Sequence, residues 1–169
     1  MFIDTVVWID LLRGRNTRQT TALGRLLDLG EAAVSLVIVQ EILQGARDEM
    51  AFRRLRKQFV AMPMLGSADP LRLAESAAQL YARARWNGIT PRSPHHCLIA
   101  VTAVTEGVPL LSADAKAYCV TRPAKALGVR DAQTLVPGTD WVAPTTYPVT
   151  LTMKQGARSI SLANSRPGP

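Results

Sequence analysis

The segment MFIDTVVWIDLL, residues 1–12, places an acidic side chain, Asp4, directly after a short apolar run at the start of the chain. A buried parallel strand that ends at a carboxylate brings that acid to the edge of a sheet, where the ligands of open α/β folds bind. Three further segments place a metal-capable side chain beside an apolar run: Glu41 in SLVIVQEILQGAR, His96 in SPHHCLIAVTA and Asp114 in VPLLSADAKAY. Three acids and one histidine arranged in this way predict a divalent-metal site.

The length of the chain, 169 residues, is typical of one domain, and its apolar content of 47% is enough to build a core. Charges, Thr, Gly or Pro interrupt the longest apolar segments well short of a membrane span, and no basic region precedes an apolar stretch at the N-terminus. We therefore expect a cytoplasmic protein without a membrane segment. Its two cysteines, Cys97 and Cys119, form no CxxC pair, which argues against a structural zinc or redox motif, and we expect Cys97 to be a small core residue.

The chain is basic, with a net charge of +7, and more than half of this charge lies in residues 121–169. The remaining basic residues form three clusters, which are Arg13, Arg15 and Arg18, then Arg53, Arg54, Arg56 and Lys57, then Arg83 and Arg85. Such clusters fit a phosphate backbone, whose attraction is long-ranged and sensitive to salt. The alternative for each cluster is an ordinary solvated helix face.

Strands and helices alternate along the first 111 residues. The predicted strands are Phe2–Val7, Ala33–Val37 and Val108–Leu111, with a possible edge strand at Met62–Leu65. The predicted helices are Trp8–Leu12, Thr20–Leu29, Val39–Ala46, Glu49–Ala61, Pro70–Trp86 and a last one that begins at Pro94 and stops at Gly107. An Asp or Ser cap followed by proline marks two of these starts, at Asp69 and at Ser93. This alternation predicts a mostly parallel sheet covered by helices on both faces.

Residues 121–169 differ in character from residues 1–120. They are basic and contain much Thr, Ser, Pro and Gly, with one possible strand at Tyr147–Met153 and few large apolar residues. We therefore expect a folded domain at residues 1–120, followed by a C-terminal extension of low order at residues 121–169.

Four segments together resemble a PIN domain, and in particular the VapC-type ribonuclease toxins of toxin–antitoxin pairs: IDTVVWIDLLRG, VQEILQGA, RSPHHCLIA and PLLSADAKAY. The resemblance covers residues 1 to about 118. It implies a three-layer α/β/α fold with a mostly parallel central sheet, and an endoribonuclease that uses Mg²⁺ or Mn²⁺ to cut RNA such as tRNA or rRNA, which inhibits translation. It also implies a homodimer and a VapB-like antitoxin as partner. By the same resemblance, Asp4, Glu41 and Asp114 are the catalytic acids that hold the metal.

The fourth position departs from the family pattern, because His96 stands where the family usually has an aspartate. Mg²⁺ prefers oxygen ligands, whereas an imidazole suits Mn²⁺ better. Position 96 falls in the first turn of its predicted helix, where the positive end of the helix dipole favours a neutral imidazole. His96 is therefore either a metal ligand that would bind Mg²⁺ poorly or a bystander that does not contact the metal.

Other residues complete the predicted site. The hydroxyls of Thr5 and Ser112 could hydrogen-bond the acids and fix their rotamers. Four arginines are expected to position the RNA backbone, namely Arg13, Arg15, Arg53 and Arg54.

Each acid also has an ordinary structural explanation. Asp4 could cap the helix that follows it, Glu41 could complement a helix dipole in a first turn, and Asp114 could form a turn. Asp10 is expected to be a surface or cap residue. Two other functions stay open: a catalytically impaired PIN protein that retains antitoxin and dimer binding, and a phosphate-handling enzyme with Asp4 as nucleophile. Against the last, a DxD motif is missing, because position 6 is Val6.

Overall fold

Two pairs of short parallel strands, joined by a bridge, form the sheet of the N-terminal part of the chain. The computed structural model describes residues 1–113 together with the backbone of residues 119–121, 150–155 and 158–163. The four strands are β1 (Phe2–Ile3), β2 (Val34–Ser35), β3 (Met64–Leu65) and β4 (Leu110–Leu111). Strand β1 pairs with β4, β2 pairs with β3, and a parallel bridge from Phe2 to Ala33 joins the pairs. The strand order is therefore β4–β1–β2–β3, and the predicted edge strand at 62–65 is confirmed as β3.

The chain divides into two units. The first, residues 1–66 and 110–113, contains this sheet and the helices α1 (Thr5–Leu12), α2 (Arg18–Asp28), α3 (Leu36–Gln44) and α4 (Glu49–Val60). The second, residues 67–109 and 114–169, contains α5 (Pro70–Trp86), α6 (Pro94–Glu106) and the strands β5 (Cys119–Thr121), β6 (Thr150–Gln155) and β7 (Arg158–Ala163).

The first two strands are shorter than the sequence predicts. The predicted strand Phe2–Val7 ends at Ile3, because α1 begins at Thr5. The predicted strand Ala33–Val37 is wrong in its second half, because α3 begins at Leu36 rather than at Val39. Val37, Ile38 and Val39 are buried helix residues, and a short β-branched run of this kind fits a buried strand and a buried helix equally well.

The predicted helix caps are confirmed. Asp69 Oδ1 accepts a hydrogen bond from Arg72 N at 3.0 Å, and Ser93 Oγ accepts one from His95 N at 3.1 Å. Each cap is followed by proline at the first helical position, where the missing N–H costs no hydrogen bond. Helix α6 ends at Gly107, whose φ of 65° lies in the left-handed region that glycine adopts without strain.

The core of the first unit lies between the sheet and its helices. Phe2, Ile3, Leu23 and Ile38 are completely buried there. The ring of Trp8 packs edge-on against Phe59, with centroids 5.0 Å apart. Helix α1 therefore has its indole in the core.

The core of the second unit includes the face between α5 and α6. Ala77, Leu80 and Ala84 of α5 are buried. Cys97 of α6 is completely buried, and burial raises the pKa of its thiol to about 11. The expectation that Cys97 is a small core residue is confirmed.

The second unit also contains an antiparallel sheet in the order β5–β6–β7. Strand β6 overlaps the predicted strand Tyr147–Met153, whereas β7 was not predicted.

The domain division at residue 120 stays a prediction. None of the helices in the described part of the chain is both long enough and apolar enough to cross a membrane.

Candidate metal site

Asp4 lies at the point where β1 passes into α1. Its N–H donates to Leu111 O at 2.9 Å, which extends the pairing with β4 by one residue. Only 1% of its surface is exposed, and its Oδ2 accepts a hydrogen bond from Ser112 Oγ at 2.6 Å. Asp4 occupies the N-cap position of α1, yet its carboxylate makes no capping hydrogen bond to the first turn. The explanation of Asp4 as a helix cap is therefore wrong.

Glu41 lies in the second turn of α3, as the sixth residue of a helix that begins at Leu36. Its Oε2 accepts a hydrogen bond from Thr5 Oγ1. Because Glu41 is not in a first turn, the explanation that it complements a helix dipole is wrong. The position results from the early start of α3, which adds a turn before Glu41.

The hydroxyls of Thr5 and Ser112 hold the two carboxylates in place. Thr5, at the start of α1, is 7% exposed, and Ser112 directly follows β4. Together the two bonds connect Ser112 to Asp4, and Thr5, the next residue in the chain, to Glu41. Four elements, β4, β1, α1 and α3, therefore meet at the carboxyl edge of the sheet.

This pair of acids can be tested against the chemistry of a divalent cation. A carboxylate removed from water, as Asp4 is, costs several kcal/mol unless hydrogen bonds or a cation compensate. Mg²⁺ is usually bound through one or two carboxylates, while waters and substrate phosphates complete its octahedral shell. Asp4 and Glu41 supply oxygen donors of this kind on elements that pack together, α1 and α3. The donor set fits Mg²⁺ or Mn²⁺.

The other two predicted ligands are His96 and Asp114. His96 lies in the first turn of α6, as the sequence predicts, and belongs to the second unit. Asp114 lies outside the described residues. Among the residues that are described, no group of three or more Asp, Glu, His or Cys side chains is close enough to hold a metal ion.

The four arginines predicted to contact RNA are all exposed, and two of them form ion pairs with acids. Arg15 Nη1 lies 2.8 Å from Asp10 Oδ1, and Arg53 Nε lies 2.8 Å from Glu49 Oε1. Asp10 is 8% exposed, so its expected place on the surface is wrong; it is buried and paired. The remaining two arginines are Arg13 and Arg54.

One residue at this edge carries no motif and was not predicted. Ser35 ends β2 as Asp4 follows β1, and it is 5% exposed. The signal in the sequence is a small polar residue directly after the apolar run Ala32-Ala33-Val34. A lone serine after three apolar residues is too common to be selected on that ground.

Comparisons with known proteins show the family of this chain. The family model described as PIN domain matches residues 1–122, and the chain belongs to the PIN domain family. Within it, the chain is similar to the VapC ribonuclease Mb1587 of Mycobacterium bovis and to ribonuclease VapC11 of Mycobacterium tuberculosis. Each is 31% identical over 124 residues, which cover 72% of this chain and 92% of the relative.

A solved structure to which the chain is also similar is a toxin–antitoxin complex from Klebsiella pneumoniae. It is 20% identical, has a TM-score of 0.46, and the match covers 78% of this chain and 92% of that one. The family match confirms the predicted PIN domain and its α/β/α class with a parallel sheet. The similarity to VapC proteins is confirmed by the two mycobacterial relatives.

Proposed function

We propose that this protein is a metal-dependent endoribonuclease toxin of the VapC type, which hydrolyses phosphodiester bonds in RNA with Mg²⁺ or Mn²⁺. The observation that carries the proposal is the pair of carboxylates, Asp4 and Glu41, each held by a hydroxyl at the carboxyl edge of a parallel sheet. Family membership supports the same reaction, since the mycobacterial relatives are named ribonucleases.

Burial gives the two acids different roles. Asp4 is buried and fixed by Ser112, so it acts as a rigid ligand. Glu41 is partly exposed and therefore better placed to accept a proton from the water that attacks the phosphate. A bound divalent cation would lower the pKa of a water molecule that it holds and would offset the negative charge that develops on the phosphate. His96 and Asp114 remain proposed ligands that would complete the donor set.

The basic surface supports RNA as the substrate. Arg13 and Arg54 are exposed, as are Arg15 and Arg53, and a chain with a net charge of +7 attracts a polyanion. Exposed ion pairs such as Arg53 with Glu49 contribute little and can exchange for phosphate contacts. As with the family, we propose tRNA or rRNA as the target, inhibition of translation as the effect, and a cytoplasmic homodimer silenced by a VapB-like antitoxin.

The test is cleavage of a single-stranded RNA whose two ends are blocked, by the purified full chain. We expect internal cuts with Mn²⁺, fewer with Mg²⁺ and none with EDTA. Asp4→Ala and the nearly isosteric Asp4→Asn should both abolish the cuts, whereas Asp28→Ala, which removes an exposed acid from α2, should leave them unchanged. Cleavage that continues in EDTA, or in both Asp4 variants, would refute the proposal.

A catalytically impaired PIN protein that retains antitoxin and dimer binding is the second candidate. It is favoured by His96, which replaces a carboxylate and lowers the negative charge available to a cation. Under this alternative the wild type cuts no RNA with either metal, while it still forms a complex with a VapB-like antitoxin. Size-exclusion chromatography of the mixed proteins separates this outcome from a misfolded toxin.

A further inference from the structure

We propose that Ser35 is a positioning residue of the metal site, whose hydroxyl holds a water of the cation's coordination shell. The inference deepens the proposed function and rests on it, since it requires a cation at Asp4. It assigns a role to a residue that no sequence motif selects.

The strand register places Ser35 beside Asp4. Phe2 bridges Ala33 in parallel, and Ile3 N donates to Ala33 O at 3.2 Å. Continued two residues further, past the end of β1 at Ile3, this register would set Asp4 against Ser35. Residues in register on neighbouring strands project to the same face of a sheet and lie about 5 Å apart.

On the opposite side of Asp4, the register of β1 with β4 continues past the ends of the strands in the same way. There, Phe2 pairs with Leu110 and Ile3 with Leu111. The next residues in that register are Asp4 and Ser112, and their side chains do meet, at 2.6 Å. Asp4 is therefore flanked by a serine on each side, and only one of the two hydroxyls is bonded to it.

The hydroxyl of Ser35 is buried and unused by the described part of the chain. Its Oγ is inaccessible to solvent and has no hydrogen-bond partner among the described residues. Ser35 holds the N-cap position of α3, where a serine normally accepts a bond from the helix, yet it makes none. A buried hydroxyl without a partner destabilises a protein, so the burial of Ser35 Oγ points to a ligand bound at this edge as its partner.

The chemistry of a hydrated cation fits this hydroxyl. Mg²⁺ and similar ions keep several waters when one or two carboxylates bind them. Each such water needs a hydrogen-bond acceptor or donor around it, and a serine hydroxyl offers both. Removing a side chain that hydrogen-bonds a metal ligand typically weakens metal binding by roughly ten- to a hundredfold.

The experiment compares two variants of the full chain that each delete a hydroxyl at a helix N-cap. Thr17 Oγ1 accepts a bond from Thr20 N at 3.1 Å, so it caps α2, whereas the Ser35 hydroxyl does not cap α3. Mn²⁺ affinity is measured by titration calorimetry, and the melting temperature is measured in EDTA. We expect Ser35→Ala to weaken Mn²⁺ binding about tenfold and to leave the melting temperature unchanged or higher. We expect Thr17→Ala to bind Mn²⁺ normally and to melt roughly 3 °C lower.

Two outcomes would overturn the inference. The first is Ser35→Ala protein that binds Mn²⁺ as tightly as the wild type. The second is a melting temperature of Ser35→Ala in EDTA that falls as far as that of Thr17→Ala, because the hydroxyl would then have a partner within the protein. Mn²⁺ binding by Asp4→Ala distinguishes a failure of the Ser35 inference from a failure of the proposed function. If the wild type binds Mn²⁺ and Asp4→Ala does not, the metal site stands and the Ser35 result concerns Ser35 alone; if the wild type binds none, both fail.

Discussion

The hydrogen bond from Ser112 to Asp4 is expected to stabilise the protein measurably in the absence of metal. Asp4 is 1% exposed, so water cannot replace the Ser112 hydroxyl when that hydroxyl is removed. The bond is 2.6 Å long, within the range of strong bonds to carboxylates. Hydrogen bonds to charged groups contribute about 1.5–3 kcal/mol, so Ser112→Ala should lower the free energy of unfolding by about 2 kcal/mol. That loss corresponds to roughly a 30-fold change in the folding equilibrium.

The assay is urea unfolding at pH 7 in EDTA, which removes any contribution of bound metal. Ser67→Ala is the matched control, because the Ser67 hydroxyl accepts its bond from Asp69 N in an exposed turn. We expect this control to lie within about 0.5 kcal/mol of the wild type. A Ser112→Ala protein as stable as the control would refute the reasoning.

A double-mutant cycle identifies the partner of Ser112. In an Asp4→Asn background the charge is absent, and a bond between neutral groups is worth only about 1 kcal/mol. Ser112→Ala should therefore cost about 1 kcal/mol less there than in the wild type. Equal losses in both backgrounds would mean that the Ser112 hydroxyl acts through a group other than the Asp4 carboxylate.

Two further predictions concern the metal preference and the pH dependence. His96→Asp should raise cleavage supported by Mg²⁺ several-fold relative to that supported by Mn²⁺, because a carboxylate suits the harder ion; an unchanged ratio of the two rates would show that His96 does not contact the metal. Asp48 Oδ1 accepts a bond from Ala51 N at 2.7 Å, and this bond holds the pKa of Asp48 below its ordinary value of 3.8. Because the pKa of Asp48 is lower in the folded state, its carboxylate stabilises the folded protein above pH 3.8. This stabilisation is lost as the pH falls through the pKa of Asp48 in the folded state. Asp48→Ala should therefore unfold at lower urea concentrations than the wild type at pH 7, and this difference in stability should narrow below pH 3.8. Asp48→Asn keeps a side chain that can cap the helix, so its stability relative to the wild type should vary little with pH.

The parallel edge of the sheet was predictable because its signal is local. Asp4 and Ser112 each follow an apolar run, and parallel strands bring the residues at their carboxyl ends together. The bonds of Thr5 and Ser112 to the acids match the arrangement expected from the sequence. Their role in binding metal stays a prediction, as do the roles of His96 and Asp114.

Other features could not be read from the sequence, for physical reasons. The start of α3 was misplaced because Val37, Ile38 and Val39 suit a buried strand as well as a buried helix. The pairing of Asp10 with Arg15 depends on the turn after α1, which composition does not define. Strand β7 pairs antiparallel with β6, and the pattern of its residues, RSISLA, is too polar to stand out.

The direct passage from strand to helix at this edge also limits how the protein can change in evolution. A single residue, Asp4, separates β1 from α1, and α3 begins after β2 without any intervening residue. Because each residue added to a helix rotates all later side chains by about 100° around the helix axis, one insertion between Ser35 and Glu41 would swing the Glu41 carboxylate off its bond with Thr5. Lineages of this protein should therefore tolerate no length variation at these two junctions.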